Sequence, residues 1–108
     1  QLVFILQRGV RFPQGPPKIM AFVYFIISTK NNRTISYVGW TNNLEKRIKL
    51  HNNGKGAKFT KGRLWTLIYY EIFTEKNNAM RREHILKKDT KLRSLIKKNY
   101  FENIKNEK

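Results

Sequence analysis

The 108-residue sequence contains no cysteine. Disulfides, thiolate nucleophiles and cysteine-ligated zinc sites are excluded together, and two histidines do not make up a structural zinc site. Acidic residues are scarce as well: 7 Asp and Glu stand against 23 Lys and Arg, a formal charge of +16. Long apolar runs are missing. No segment approaches the roughly 20 residues that a bilayer-spanning helix needs, and Gln1 to Leu6 is too short and wrongly flanked for a signal peptide. Neither a basic amphipathic helix nor a lipidation signal stands out, so a membrane partner is not expected. This composition suits a cytoplasmic protein, nucleoid association included.

Hydrophobic residues make up 40% of the chain and aromatics 13%, enough to build a folded core. The length allows one domain with a single modest core. A charge of +16 on so short a chain costs stability through self-repulsion, and a polyanionic partner is its natural counterweight. Nucleic acid is the first candidate for it, and a solvated basic surface without a partner is the plainer alternative. A basic protein docking on an acidic protein is the competing reading; it predicts poor preference for nucleic acid.

Residues 1–19 carry Pro13, Gly15, Pro16 and Pro17 without periodicity and read as an irregular extension or leader ahead of Met20. Ala21 to Ser28 is continuously apolar, as in a strand buried on both faces. Thr29 to Arg33 is a turn whose Asn31-Asn32 pair tolerates left-handed backbone. Thr34 to Val38 is a second strand, paired as a hairpin and ended by Gly39, where backbone can approach closely. Asn42 caps a helix running to about Asn52, with Glu45 three residues on. Leu44, Ile48 and Leu50 form its inner stripe, and Arg47 and His51, four apart, share a face.

Gly54 to Arg63 is a glycine-rich basic loop. Trp65 to Phe73 is a third strand. Asn77 or Asn78 caps a helix over Ala79 to Lys88 with Met80, Ile85 and Leu86 as its apolar members, and a last helix opens at Asp89 or Thr90 with Leu92, Leu95 and Ile96. Beyond it, residues 99–108 read as a fraying basic tail. The order β-β-α-β-α-α predicts an α/β fold of the α+β kind: a small three-stranded antiparallel sheet flanked by helices over residues 20–98.

Five residues are candidates for chemistry: Tyr24, Tyr37, Arg47, His51 and Glu83. Taken singly, each has a plainer role. The tyrosines sit in strands where aromatics are common, Arg47 and His51 fit a solvated helix face, and Glu83 among Arg81, Arg82, Lys87 and Lys88 fits surface ion pairs worth ~0–1 kcal/mol. Together, a hydroxyl, a guanidinium, an imidazole and one carboxylate in a very basic chain are what metal-assisted phosphodiester cleavage requires. Lys55, Lys58, Lys61 and Arg63 are placed for backbone contacts, which position nucleic acid without reading sequence. Phe59, Trp40 and Trp65 are interleaved aromatics, one of which can stack on an unpaired base.

The joint pattern resembles the GIY-YIG nuclease superfamily, and in particular its small stand-alone bacterial members and the N-terminal domain of the bacterial excinuclease. Val23-Tyr24-Phe25 stands for the first motif, although Phe22-Val23 replaces the Gly-Ile of its name. Tyr37-Val38-Gly39 stands for the second, Arg47-x-x-x-His51 for the polar face of the first helix, and Glu83 for the metal-binding glutamate. Asn53 to Thr60 is similar to the basic loop of the small bacterial members. This resemblance implies a metal-dependent endonuclease acting on structured or damaged DNA in repair or recombination. Glu83 would hold one Mg²⁺ or Mn²⁺, Arg47 the phosphoryl charge, and Tyr24 or Tyr37 the attacking water, with His51 relaying a proton or binding phosphate. Gly39 would be structural. Nothing in one domain supplies target recognition, so either weak, shape-guided activity or dependence on a partner protein is expected. The alternative on the same scaffold is a non-catalytic nucleic-acid-binding module.

Overall fold

A computed structural model describes residues 2–6 in backbone and 21–106. Its elements are β1 (Leu2–Leu6), β2 (Ala21–Lys30), β3 (Arg33–Thr41), α1 (Leu44–Asn52), β4 (Thr66–Phe73), α2 (Lys76–Lys88) and α3 (Thr90–Asn106). From β2 onward the order is β-β-α-β-α-α, and the three strands form an antiparallel sheet with β2 in the middle, paired to β3 on one side and β4 on the other. Helices flank it, as expected.

The N-terminal residues add to this. Leu2–Leu6 pairs antiparallel with the outer side of β4, giving a sheet of order β1-β4-β2-β3. An apolar run of five residues is thus a strand where an irregular extension was anticipated; the rest of 1–19 lies outside the described residues. The chain end differs too. Helix α3 continues through Phe101 and Ile104 to Asn106 instead of fraying at Tyr100.

Strand β2 explains why the chain folds around it. Its odd members Ala21, Val23, Phe25 and Ile27 enter one core cluster with Ala79, Leu86 and Ile96 of the C-terminal helices. Its even members Phe22, Tyr24 and Ile26 enter a second cluster with Leu44 and Ile48 of α1 and with Trp65. Period-two alternation thus distributes a continuous apolar run to both faces of a covered sheet. The register shifts between Phe25 and Ile26, and this irregularity brings the sequence neighbours Ile68 and Tyr69 into the same cluster.

The β2–β3 hairpin turns at Asn31 and Asn32, whose φ angles of 54° and 63° are those of a two-residue left-handed turn. Strand β3 does not stop at Gly39; it runs on to Thr41. The helix caps also differ in detail. Asn43, one residue beyond the expected Asn42, accepts from Lys46 N–H at 3.2 Å, because the Thr41 hydroxyl already holds the Asn43 backbone. Helix α2 starts at Lys76 with Glu75 at its cap position and no side-chain cap bond. Asp89 accepts from Leu92 N–H at 3.0 Å and opens α3.

Helix α2 buries Ala79 and Leu86, while Met80 and Ile85 are 43% and 54% exposed. A buried carboxylate decides this rotation. Glu71 on β4 is fully buried and takes both Arg82 Nε (2.8 Å) and Arg82 Nη2 (3.0 Å), with the Tyr69 hydroxyl donating to the same group. A buried charge left unpaired is far more costly than two exposed apolar side chains. In α3 likewise Ile96 is buried and Leu92 packs on the core, but Leu95 is 52% exposed.

Candidate active site

The site is assembled between β2, β3, α1 and the loop that follows α1. Arg47 and His51 lie one helical turn apart on the face of α1 turned to the sheet, and His51 is fully buried there. Its ring bridges two hydroxyls. Nε2 lies 2.6 Å from Tyr24 Oη on β2, and Nδ1 lies 2.9 Å from Thr60 Oγ1 on the loop. Thr60 is itself fully buried. Its hydroxyl donates to the Ala57 carbonyl at 3.0 Å and accepts from Ala57 N–H at 3.2 Å.

Proton positions follow from this accounting. Arg47 Nε can only donate, and it reaches Tyr24 Oη at 3.4 Å. The phenol therefore has its own proton to give, and His51 Nε2 is the acceptor in reach. The imidazole proton then sits on Nδ1 and goes to Thr60 Oγ1, whose proton goes to Ala57. One unbroken chain of donors runs from Arg47 through Tyr24, His51 and Thr60 to a loop carbonyl. Thr60 and Ala57 were not anticipated as part of the site; the only signal in the sequence is a hydroxyl nine residues beyond a histidine, which is no signal without the loop's path.

Electrostatics match this assignment. Burial, and secondarily the charge of Arg47, pushes the His51 pKa down to about 4, so the ring is neutral at pH 7. Burial pushes Tyr24 up to about 12 against the pull of Arg47, with Tyr37 and the Glu83 carboxylate adding to the rise. A tyrosine held so strongly in its neutral form donates its hydrogen bond.

Two glycines make room for these rings. Gly39 is the cross-strand partner of Tyr24, and a Cβ there would fall within the Tyr24 hydroxyl and ring. Gly56 stands in the same relation to the His51 imidazole, while its carbonyl accepts from Arg47 Nη2 at 3.3 Å. The absence of a side chain at position 39 therefore serves the tyrosine rather than ending the strand.

Tyr37 lies beside this chain. Its ring centroid is 5.2 Å from His51 and 6.4 Å from Tyr24. The Lys87 ammonium sits 5.8 Å from the Tyr37 ring and 3.2 Å from Glu83 Oε2. Helix α2 thus presents its Glu83–Lys87 edge to the tyrosine from the far side of the cluster. Tyr24, Tyr37, Arg47, His51 and Glu83, spread over 60 residues of sequence and four elements, converge on one place. His84 lies apart on the exposed side of α2.

The basic loop divides. Lys55, Lys58 and Lys61 are exposed. Arg63 is turned inward, its Nε 3.1 Å from Ser28 Oγ, and ties the loop to the end of β2. Of the aromatics, Trp65 is buried with its Nε1–H on the Thr60 carbonyl at 2.8 Å. Trp40 packs partly on the core, with Lys76 5.6 Å from its ring.

A sequence model described as the GIY-YIG catalytic domain matches residues 20–99. The chain belongs to the GIY-YIG family. Within it, the chain is 51% identical over 77 residues to UPF0213 protein CPE1444 of Clostridium perfringens, covering 70% of this chain and 80% of that protein. It is 42% identical over 86 residues to UPF0213 protein YazA of Bacillus subtilis, covering 79% and 82%. UPF0213 protein SAG0778 of Streptococcus agalactiae is 36% identical over 91 residues, covering 83% and 97%. No solved structure matches the chain. As a GIY-YIG domain it belongs to a nuclease superfamily, whose substrate class is nucleic acid. Among the described residues no helix is long and apolar enough to cross a membrane.

Proposed function

We propose that this GIY-YIG domain is a metal-dependent endonuclease that hydrolyses phosphodiester bonds in structured or damaged DNA, in repair or recombination. The observation that carries this reading is the 2.6 Å contact between Tyr24 Oη and His51 Nε2, which gives one tyrosine a place to send its proton. A phenol that must ionise outright is a poor base at pH 7. A phenol that passes its proton to imidazole as it takes one from water never has to carry the charge. Tyr24 is thus the tyrosine in proton transfer, and Tyr37 borders the water and phosphate.

In the reaction the water oxygen bonds to phosphorus as the bond to the leaving oxygen breaks. The water proton goes to Tyr24 Oη, and the Tyr24 proton goes to His51 Nε2. Nδ1 keeps its proton on Thr60 throughout. An imidazolium is disfavoured in the resting site, but the negative charge of a bound phosphate supports it. Arg47 meets that charge. Its two contacts, 3.4 Å to Tyr24 and 3.3 Å to Gly56, are long and are exchanged at little cost for paired hydrogen bonds to phosphate oxygens. Moving Arg47 would also free the phenolic oxygen from the guanidinium that now donates to it.

Glu83 is the residue to hold Mg²⁺ or Mn²⁺. Among the described residues no three His, Cys, Asp or Glu side chains gather as a metal cage. The donor chemistry nevertheless fits Mg²⁺, which keeps several waters and needs one or two carboxylates. Glu83 offers a hard oxygen whose present partner is a cation, Lys87 at 3.2 Å. When bound, the ion supplies Lewis acidity and stabilises the leaving oxygen. A single domain of this size has little surface for target recognition, which a partner protein would supply.

The test is cleavage of labelled flap, fork, junction, single-stranded and duplex DNA with Mg²⁺, Mn²⁺ or EDTA, beside Glu83→Ala. Metal-dependent cutting that the variant loses is expected. Binding without cutting, unchanged by Glu83→Ala, would leave a non-catalytic nucleic-acid-binding module.

A further inference from the structure

The loop between α1 and β4 holds an aromatic ring in a position that core packing does not explain. Phe59 is 57% exposed, yet it is stacked on Tyr37 with an interplanar angle of 21° and a centroid distance of 6.1 Å. Its second ring contact is Trp65, at 6.3 Å. With one face against Tyr37, the exposed area is the outer face and rim.

The backbone that carries the ring is also anchored. Thr60, the next residue, is fully buried and bonded to His51 and Ala57. Thr60 N–H returns to the Ala57 carbonyl at 3.2 Å, and Trp65 Nε1–H fixes the Thr60 carbonyl at 2.8 Å. Phe59 therefore projects from a closed turn anchored to the site itself. Exposed Lys58 and Lys61 flank it in sequence, with exposed Lys55 at the start of the loop, and none of the three forms an ion pair among the described residues.

We propose that the outer face of Phe59 is a stacking platform for one unpaired nucleobase, extending the Tyr37–Phe59 stack by a third ring. A flat apolar face on an anchored loop rich in exposed lysines fits a nucleotide better than an apolar peptide, because stacking takes the base while the lysines are available to the flanking phosphates. Paired bases in a duplex interior have no free face to offer. The ligand is therefore a single-stranded segment or the unpaired nucleotide at a branch. Its adjoining phosphate is delivered toward Tyr37, on the side where Arg47 and Glu83 converge. This places the substrate preference of the domain in its loop, and it rests on the nuclease reading only for which phosphate is presented.

The test is equilibrium binding in EDTA, where no cutting intervenes. The probes are a fluorescent oligodeoxythymidine, its oligouridine counterpart and a blunt duplex of the same length. Phe59→Ala should weaken single-strand binding by about 5- to 100-fold, as loss of one stacked base does, and leave duplex binding within about twofold. Phe59→Trp should retain the affinity. Phe59→Leu, which keeps an apolar body over Tyr37 but has no ring face, should behave like Phe59→Ala. The dependence of log affinity on log salt should keep its slope in all three, since no phosphate contact is lost. A loss on either single strand supports the platform, and the strand that loses more is its ligand. Equal losses on single strand and duplex, or none on either strand, overturn it. If the unmodified chain cuts none of these DNAs with Mg²⁺ or Mn²⁺ while Phe59→Ala still loses single-strand binding, the nuclease reading fails and the platform stands.

Discussion

Tyr24 and His51, 27 residues apart in sequence, are joined by a buried hydrogen bond of 2.6 Å between the phenol and Nε2. The bond has a direction, because Arg47 donates to the same phenolic oxygen. Tyr24→Phe removes the one hydroxyl that serves both neighbours. Folding should survive with a loss of about 1–3 kcal/mol, the cost of leaving buried polar groups unsatisfied. Cleavage should fall by roughly 10²–10⁴-fold, the range for removing a proton-transfer group. Tyr37→Phe should fall less, since Tyr37 has no such route for a proton. Equal losses from both substitutions, in single-turnover rates at saturating DNA, would refute the assignment of proton transfer to Tyr24.

Thr60 is expected to act through His51. Its Oγ1 accepts from Nδ1 and so fixes which nitrogen faces Tyr24. Thr60→Val keeps the shape and removes the acceptor. The imidazole then gains by moving its proton to Nε2, which turns a proton acceptor into a donor. Stability should drop by about 1–3 kcal/mol, and the ¹⁵N chemical shifts of His51 should report the change of tautomer. Thr60→Ser should restore both the shifts and the rate. A role confined to packing would leave the tautomer unchanged in the valine variant.

Acid should destabilise this protein in a particular window. Burial and Arg47 lower the His51 pKa to about 4, while an unfolded histidine titrates near ~6.5. Between these values the unfolded chain binds a proton that the folded chain refuses, so stability rises with pH. The contribution is complete above the unfolded value and is lost as pH falls through about 4. A shift of this size corresponds to roughly 3 kcal/mol. Urea unfolding from pH 4 to 8 should show this slope in the native chain. His51→Gln should flatten the slope between pH ~4 and ~6.5; an unchanged slope would mean that other groups carry the acid limb.

The sheet and the motif residues were legible because both follow from local pattern. A continuous apolar run such as Ala21 to Ser28 is satisfied only between two layers, and Asn31-Asn32 demands a tight turn. The helix faces were harder. Apolar residues at 79, 80, 85 and 86 fit two rotations of α2, and the choice is made by Glu71 pairing with Arg82, a contact across 11 residues. A lone carboxylate inside Tyr69-Tyr70-Glu71-Ile72 was the available hint, since a buried charge must find a partner. Thr60 and Gly56 carried no hint, because a loop's threonine and glycine acquire meaning only when its path brings them against His51. Leu2–Leu6 reads as an apolar run, but an edge strand is recognisable only once β4 has a free side.

Gly39→Ala separates local geometry from chemistry. The residue lies in β3 directly across from Tyr24, and a methyl group there would overlap the hydroxyl end of its ring. Its backbone does not have a positive φ, so the strand conformation alone would accept alanine. Any penalty therefore comes from Tyr24, which must move its oxygen off His51 Nε2. Overpacking of this kind costs about 1–3 kcal/mol. The displaced phenol should also lower cleavage toward the level of Tyr24→Phe. In the double variant with Tyr24→Phe, the shorter ring end relieves part of the overlap, so the two stability losses should be less than additive. Strict additivity, measured by urea denaturation, would mean that Gly39 serves the strand and not the tyrosine.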